Sequence, residues 1–154
     1  DIGLLYQPGE VPTDAVPIPL GQAATVRAGT DVSLISYGKT VHHCAQAAES
    51  LAAEGIAAEV IDLRSLRPID YDTVINSVKR TNRCVFLEES WPLAAFAGEL
   101  TYMIQRQAFD YLDSPVIRVT TSDTPLPYSP TLIAEWLPNP KRVIDAVKQT
   151  MYLV

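Results

Sequence analysis

The apolar positions of this chain fall into two alternating periods. Mainly apolar runs of strand length, at residues 32–38, 57–63, 84–87 and 116–120, are separated by stretches whose apolar residues recur every three or four positions. Val41, Cys44, Ala45, Ala48, Leu51 and Ala52 make one such helical face, with Gly55 as its stop. Tyr71, Val74, Ile75 and Val78 mark a second. Residues 93–111 form a third, with Phe96, Ala97, Leu100, Met103, Ile104 and Ala108 on one side. Val143, Ile144, Val147 and Met151 mark the last, and Asn139 followed by Pro140 is a well-matched start for it. Residues 22–27 add a first short strand before the turn Ala28-Gly29-Thr30-Asp31. Strands spaced by helices predict a single α/β domain, a three-layer α/β/α arrangement around a mostly parallel five-stranded sheet.

Proline and acidic residues punctuate this pattern. In Asp62-Leu63-Arg64-Ser65-Leu66-Arg67-Pro68-Ile69-Asp70, Pro68 disfavours helix at Arg67, and Asp70 is placed to accept hydrogen bonds from the amides of the following helix. Residues 1–20 carry Pro8, Pro12, Pro17 and Pro19 with Glu10 and Asp14, and show little periodicity. They are expected to be an extended connector from a domain upstream, with residues 21–154 forming the folded unit. A second proline-rich stretch, Thr124-Pro125-Leu126-Pro127-Tyr128-Ser129-Pro130, has too many fixed φ angles for a flexible lid. It is either a rigid crossover or part of a binding surface.

Composition narrows the function classes. The 154 residues are 47% hydrophobic and only 19% charged, so a sizeable core is expected, with part of the surface covered by another subunit. A net charge of −6 argues against a nucleic-acid binder and suits either ordinary solubility or a basic protein partner. Cys44 and Cys84, each inside an apolar run, are expected as buried thiols rather than a disulfide. No run is long enough for a membrane span and no signal peptide is visible. Beginning at Asp1, the chain is expected to be a fragment or a processed product from a reducing compartment.

Candidate chemistry is sparse. There is no GxGxxG after a strand, no GxxxxGK and no GxSxG elbow. His42 and His43 open the first helix at the sheet edge where open α/β folds place ligands. They read as one solvated and one packed imidazole, with a proton donor or ligand contact as the alternative. In Glu88-Glu89-Ser90-Trp91-Pro92, an acid–base pair competes with helix capping. Capping by Glu89 and Ser90 of the long helix that follows is the favoured expectation. Trp91 and Trp136 suit a core edge or an interface. Asp113, in Tyr111-Leu112-Asp113-Ser114-Pro115, reads by itself as a turn residue.

Taken together, several runs carry a resemblance. Val16-Pro17-Ile18-Pro19-Leu20-Gly21-Gln22-Ala23 is followed by Arg27-Ala28-Gly29-Thr30-Asp31-Val32 and Ser36-Tyr37-Gly38. Then come the run from Asp62 to Asp70, Leu112-Asp113-Ser114-Pro115-Val116, Arg118-Val119 and Asp123-Thr124-Pro125-Leu126-Pro127-Tyr128. In order and spacing these resemble the C-terminal half of beta subunits of 2-oxoacid dehydrogenases, most like pyruvate dehydrogenase, a domain of the transketolase C-terminal type. The resemblance runs from about Leu4 to the end of the chain. It implies a heterotetramer of two alpha and two beta subunits that uses thiamine diphosphate and magnesium. The cofactor and the catalytic glutamate and histidine are expected in a pyrimidine-binding half that is not in these 154 residues. No catalytic or cofactor-binding residue is therefore expected here, and no metal or bound cofactor for this chain alone.

The same resemblance implies that the domain serves subunit association and docks the basic peripheral subunit-binding domain of a dihydrolipoamide acyltransferase. Asp113 is the expected partner-binding residue, with the terminal carboxylate of Val154 as a further contributor. No nucleic-acid or membrane partner is implied. The compartment is bacterial cytoplasm or mitochondrial matrix. A branched-chain 2-oxoacid or acetoin dehydrogenase, or a stand-alone docking module, is the alternative.

Overall fold

The computed structural model describes residues 8–10, 13, 14 and 16–153. Five strands form, β1 (Ala24–Arg27), β2 (Val32–Ser36), β3 (Ala58–Asp62), β4 (Cys84–Leu87) and β5 (Ile117–Val119). Five helices accompany them, α1 (Thr40–Ala53), α2 (Tyr71–Thr81), α3 (Phe96–Ala108), α4 (Pro130–Trp136) and α5 (Pro140–Thr150). The sheet order is β1-β3-β2-β4-β5. Strands β2 to β5 run parallel, and β1 closes one edge antiparallel to β3. The expected three-layer α/β/α architecture with a mostly parallel five-stranded sheet is the architecture found.

Each central strand is buried on both faces, which is why apolar residues dominate it without strict alternation. Leu34, Val60, Val85 and Leu87 pack with Cys44, Ala48 and Leu51 of α1 and Val143 and Val147 of α5. Ile35, Ile61 and Phe86 pack on the other face with Val74 and Val78 of α2 and Leu100 and Ile104 of α3. Small residues at Ala47 and Ala48 let α1 lie close to the sheet. Both cysteines are free and buried in these layers, and burial pushes each thiol up to about 12.

One polar network interrupts the core beneath α2. Glu59 is 3% exposed. Its carboxylate accepts from Ser77 Oγ and, at 2.5 and 2.6 Å, from Nη2 of Arg80. Ser33 Oγ lies 2.5 Å from Ser77 Oγ and 2.7 Å from Thr81 Oγ1. A buried charge so satisfied is tolerated where an unpaired one would not be.

The punctuation residues act much as their types suggest. Asp70 caps α2 by accepting from Thr73 N at 3.0 Å, and its other oxygen accepts from Ala23 N at 3.0 Å, tying the entry of β1 to the helix. Burial alone would raise the Asp70 carboxyl, but the hydrogen bonds from Thr73 and Ala23 hold it below its ordinary value. Gly29 is set by proximity, because a Cβ there would stand 2.3 Å from backbone atoms of Ala58 and Glu59. Asp31 completes that turn by accepting from Ala57 N at 2.7 Å.

Two expectations need correction. The long helix starts at Phe96 rather than residue 93, and the chain tightens into a 3-10 turn at Phe109–Tyr111. After the proline-rich stretch the chain forms α4, which the pattern did not predict. Helix α4 has Pro130 at its start and no buried residue, so it carries no apolar stripe to detect.

Candidate functional site

The parallel strands give the domain two distinct ends. Asp113 lies at the end where β4 and β5 begin. The turn Asn82-Arg83 leading into β4 holds the loop that carries it. Asn82 caps α2 in the left-handed conformation, φ 60°, and its Nδ2 donates to the Tyr111 carbonyl at 2.7 Å. The Asp113 amide donates to the Asn82 carbonyl at 2.9 Å. Arg83 Nη2 stands 3.0 Å from Asp113 Oδ2, and Arg83 Nε donates to the Thr150 carbonyl at 3.3 Å. From beyond α5, Tyr152 donates its hydroxyl to the Asp113 carbonyl at 3.2 Å. The Asp113 side chain is 53% exposed, so the loop is fixed while its carboxylate remains open to solvent. Val154 lies outside the described residues.

At the opposite end, where the parallel strands finish, Glu88 and Glu89 part company. Glu89 is exposed, whereas Glu88 is fully buried directly after β4. Glu88 Oε1 accepts from Ala97 N at 2.9 Å, in the first turn of α3, and Oε2 accepts from the Tyr37 hydroxyl at 3.0 Å. The cap of the long helix therefore comes from Glu88 and not from Glu89 or Ser90. The reason is direction, since Glu88 continues the strand and points inward at the helix start. Burial, and next the neighbouring Glu88, push the Tyr37 phenol well above its ordinary value.

Of the two histidines, His42 is exposed and His43 half-buried. His43 Nδ1 is shielded and has no hydrogen-bond partner among the described residues. Burial first, then Lys39 beside it, hold its imidazole below the ordinary value. Trp91 and Trp136 meet edge to face, ring centres 6.1 Å apart. Both indole N–H groups donate to the Thr124 carbonyl, at 3.2 and 2.9 Å. The proline-rich stretch is thus pinned as a rigid ledge. Around it Leu93, Leu126, Tyr128 and Leu132 are exposed, with Tyr128 fully so.

Among the described residues no three His, Cys, Asp or Glu side chains converge to hold a metal ion. What stands out is an anchored, half-open carboxylate at one end and a rigid aromatic surface at the other. The residues that make the Asp113 loop a built feature, Asn82, Arg83 and Tyr152, escaped the sequence reading. Only Asn82 had a local signal, as an Asn at a helix end.

A sheet of four parallel strands and one antiparallel edge strand, layered between helices, defines the class as a three-layer α/β/α domain. Residues 21–143 match the family described as "Transketolase, C-terminal domain", and the chain is a member of that family. It is 43% identical over 151 residues to "Pyruvate dehydrogenase E1 component subunit beta" of Rhizobium meliloti, covering 97% of this chain and 33% of that protein. It is likewise 43% identical over 143 residues to "Acetoin:2,6-dichlorophenolindophenol oxidoreductase subunit beta" of Cupriavidus necator, covering 93% and 42%. A mitochondrial pyruvate dehydrogenase beta subunit of Dictyostelium discoideum is 40% identical over 132 residues, covering 86% and 37%. The solved structure titled "Split gene transketolase, inactive beta4 tetramer" superposes with a TM-score of 0.79 at 26% identity, over 94% of this chain and 46% of that one. The chain thus spans well under half the length of these curated relatives.

Proposed function

We propose that this chain is the C-terminal domain of the beta subunit of a thiamine diphosphate-dependent pyruvate dehydrogenase. The observation that carries the reading is the 43% identity running along 151 residues to a beta subunit of that name. Its part in oxidative decarboxylation of pyruvate is association with an alpha subunit and a second beta subunit, and docking of the dihydrolipoamide acyltransferase. The rigid aromatic ledge around Trp91, Tyr128 and Trp136 supports the first role, since aromatic anchors are the residues enriched at subunit interfaces. Asp113 supports the second, because an exposed carboxylate on a fixed loop pairs with the Lys and Arg of a basic peripheral subunit-binding domain at little ordering cost.

In the full enzyme thiamine diphosphate serves as the electron sink for decarboxylation, held through magnesium. The described residues do not fit that pair, since they offer no converging carboxylates for the ion. Our reading assigns the cofactor to another part of the enzyme, and this domain by itself is expected to be inactive. The proposed compartment is bacterial cytoplasm or mitochondrial matrix, a reading supported by relatives from a bacterium and from mitochondria.

A second reading, an acetoin dehydrogenase, is favoured by the equal 43% identity to the Cupriavidus necator protein. Both readings are tested by assembling the intact beta subunit with its alpha partner and following thiamine-dependent dye reduction. Turnover with pyruvate above that with branched-chain 2-oxoacids and acetoin is the expected result. Preference for acetoin selects the second reading, and no turnover with any of them leaves a docking module without catalysis.

A further inference from the structure

The sheet has two edges, and they are finished differently. At one, β1 meets β3 with a shift of register between Thr25 and Arg27, an irregularity of the kind that blunts an edge. At the other, β5 pairs with β4 in unbroken register. The Val119 carbonyl accepts from the Glu88 amide at 3.1 Å, so Val119 turns its backbone groups to β4. Neighbouring residues of a strand turn theirs to opposite sides, and Arg118 therefore directs its N–H and C=O away from the sheet. Past Thr120 the edge is closed, because the Ser122 amide donates to the Trp136 carbonyl at 3.1 Å. What is left open is a short stretch centred on Arg118.

A groove of about 490 Å³ runs along this stretch, between β5 and α5. Buried Val119 and Ala146 form its floor, and Arg142, Asp145 and Gln149, one stripe of α5, form its wall. The charges there are unequal. Asp145 is engaged by Lys141 Nζ at 3.0 Å, whereas the Arg142 guanidinium makes one long hydrogen bond among the described residues, 3.5 Å to the Leu137 carbonyl. Arg118 lies on the other face of the sheet, its Nη1 donating to the Pro92 carbonyl at 3.1 Å beside Gly98 of α3. Its other guanidinium N–H groups are uncommitted among the described residues. A chain of net charge −6 thus presents an arginine on each face of its open edge.

We infer that this edge takes an extended acidic segment of a partner protein as a sixth strand. The backbone of Arg118 supplies ladder hydrogen bonds, as sheet edges do wherever a strand is added to them. Selection comes from the alternation of side chains, since two consecutive residues of an added strand fall on opposite faces. Two consecutive acidic residues therefore meet Arg118 on the α3 side and Arg142 on the α5 side, each as a pair of opposite charges. A cation on an edge strand also turns away unsuited strands, so the same Arg118 guards the edge and chooses its occupant. A second copy of this chain is a poor occupant, because β5 paired two-fold through residue 118 sets Arg118 against Arg118.

The test titrates the peptide acetyl-Thr-Val-Glu-Glu-Val-Thr-amide into the isotope-labelled 154-residue chain and follows the backbone amide resonances of the protein. Saturable movement of the Arg118 amide and of the amides from Asp145 to Gln149 is expected, weakening as salt is added. The same peptide with two lysines in place of the glutamates is expected to leave them unmoved. Arg118→Pro removes the outward N–H, spares the ladder to β4 and is expected to abolish binding. Arg142→Gln, at a half-buried position on α5, is expected to weaken binding about threefold. It retains the fold even if Arg118→Pro does not. An Arg118 amide that stays still at millimolar peptide overturns the proposal. Equal binding of the lysine peptide, or undiminished binding by either variant, overturns it as well. A peptide-free chain that sediments as a dimer, and as a monomer after Arg118→Pro, gives the edge to a second copy and overturns it likewise.

Discussion

Glu88 Oε1 accepts a hydrogen bond from the backbone amide of Ala97, 2.9 Å away and nine residues along the chain. A fully buried carboxylate at the end of a strand thereby caps the helix that covers that same strand. Its second oxygen is occupied by Tyr37. Glu88→Ala orphans two buried donors at once and is expected to cost about 3 kcal/mol. Glu88→Gln, whose amide oxygen can keep the Ala97 contact while its NH2 donates to the Tyr37 hydroxyl oxygen, is expected to cost less. Denaturant melts of the three proteins measure the order, and an unchanged midpoint for Glu88→Ala would sink this account.

His43 supplies a pH-dependent contribution of defined sign. Its folded imidazole titrates below its ordinary value of about 6.5, so the unfolded chain takes up the proton first. The stability it contributes is complete above that value and is lost as the pH falls through it. In His43→Gln the fall in unfolding free energy between about pH 7 and pH 5 is expected to be shallower.

The turn at Gly29 leaves no room for a side chain. Every near neighbour of an added Cβ is backbone of residues 57–59, which cannot swing aside as a flexible side chain does. Gly29→Ala is expected to destabilise by about 3 kcal/mol, at the upper end for overpacking. A thermal melt within a degree of the parent would show that the turn yields.

In the assembled enzyme Asp113→Ala is expected to weaken acyltransferase docking by about 1–3 kcal/mol. The same change frees Arg83 from its partner without exposing a buried charge, because Arg83 is partly solvated. Fold stability is therefore expected to move by less than about 1 kcal/mol. Affinity and melting, measured on the same preparation, separate the two effects.

Isolated from the rest of the enzyme, the chain is expected to show no micromolar heat of binding with thiamine diphosphate and magnesium. Calorimetry with both present is the measurement.

The fold was legible where burial is two-sided or strictly periodic. The runs at β2, β3 and β4 and the stripes of α1, α2 and α5 announce themselves, because each is written by contact with one layer of core. Helix α4 has no such contact and left no periodic trace. Glu59 sits in a core strand, and its partners Ser77 and Arg80 belong to a helix about twenty residues on, so the pairing had no local signal. The Glu88 cap failed to show for the same reason, because cap statistics look one turn back and this cap comes from a strand. Asp113 was visible only by resemblance. Its anchors come from residues 82, 83 and 152, brought together by the sheet.

The chain has two tryptophans, and Thr124 gathers both of them at one end. Tryptophan emission from this domain, excited where tyrosine does not absorb, is consequently a local reporter. It senses events on the proline-rich ledge, such as a neighbouring subunit drawing water away from the indoles. It stays silent when something binds beside Asp113, at the far end of the strands. An emission change and a calorimetric isotherm recorded on one sample thus read two different surfaces of the same molecule.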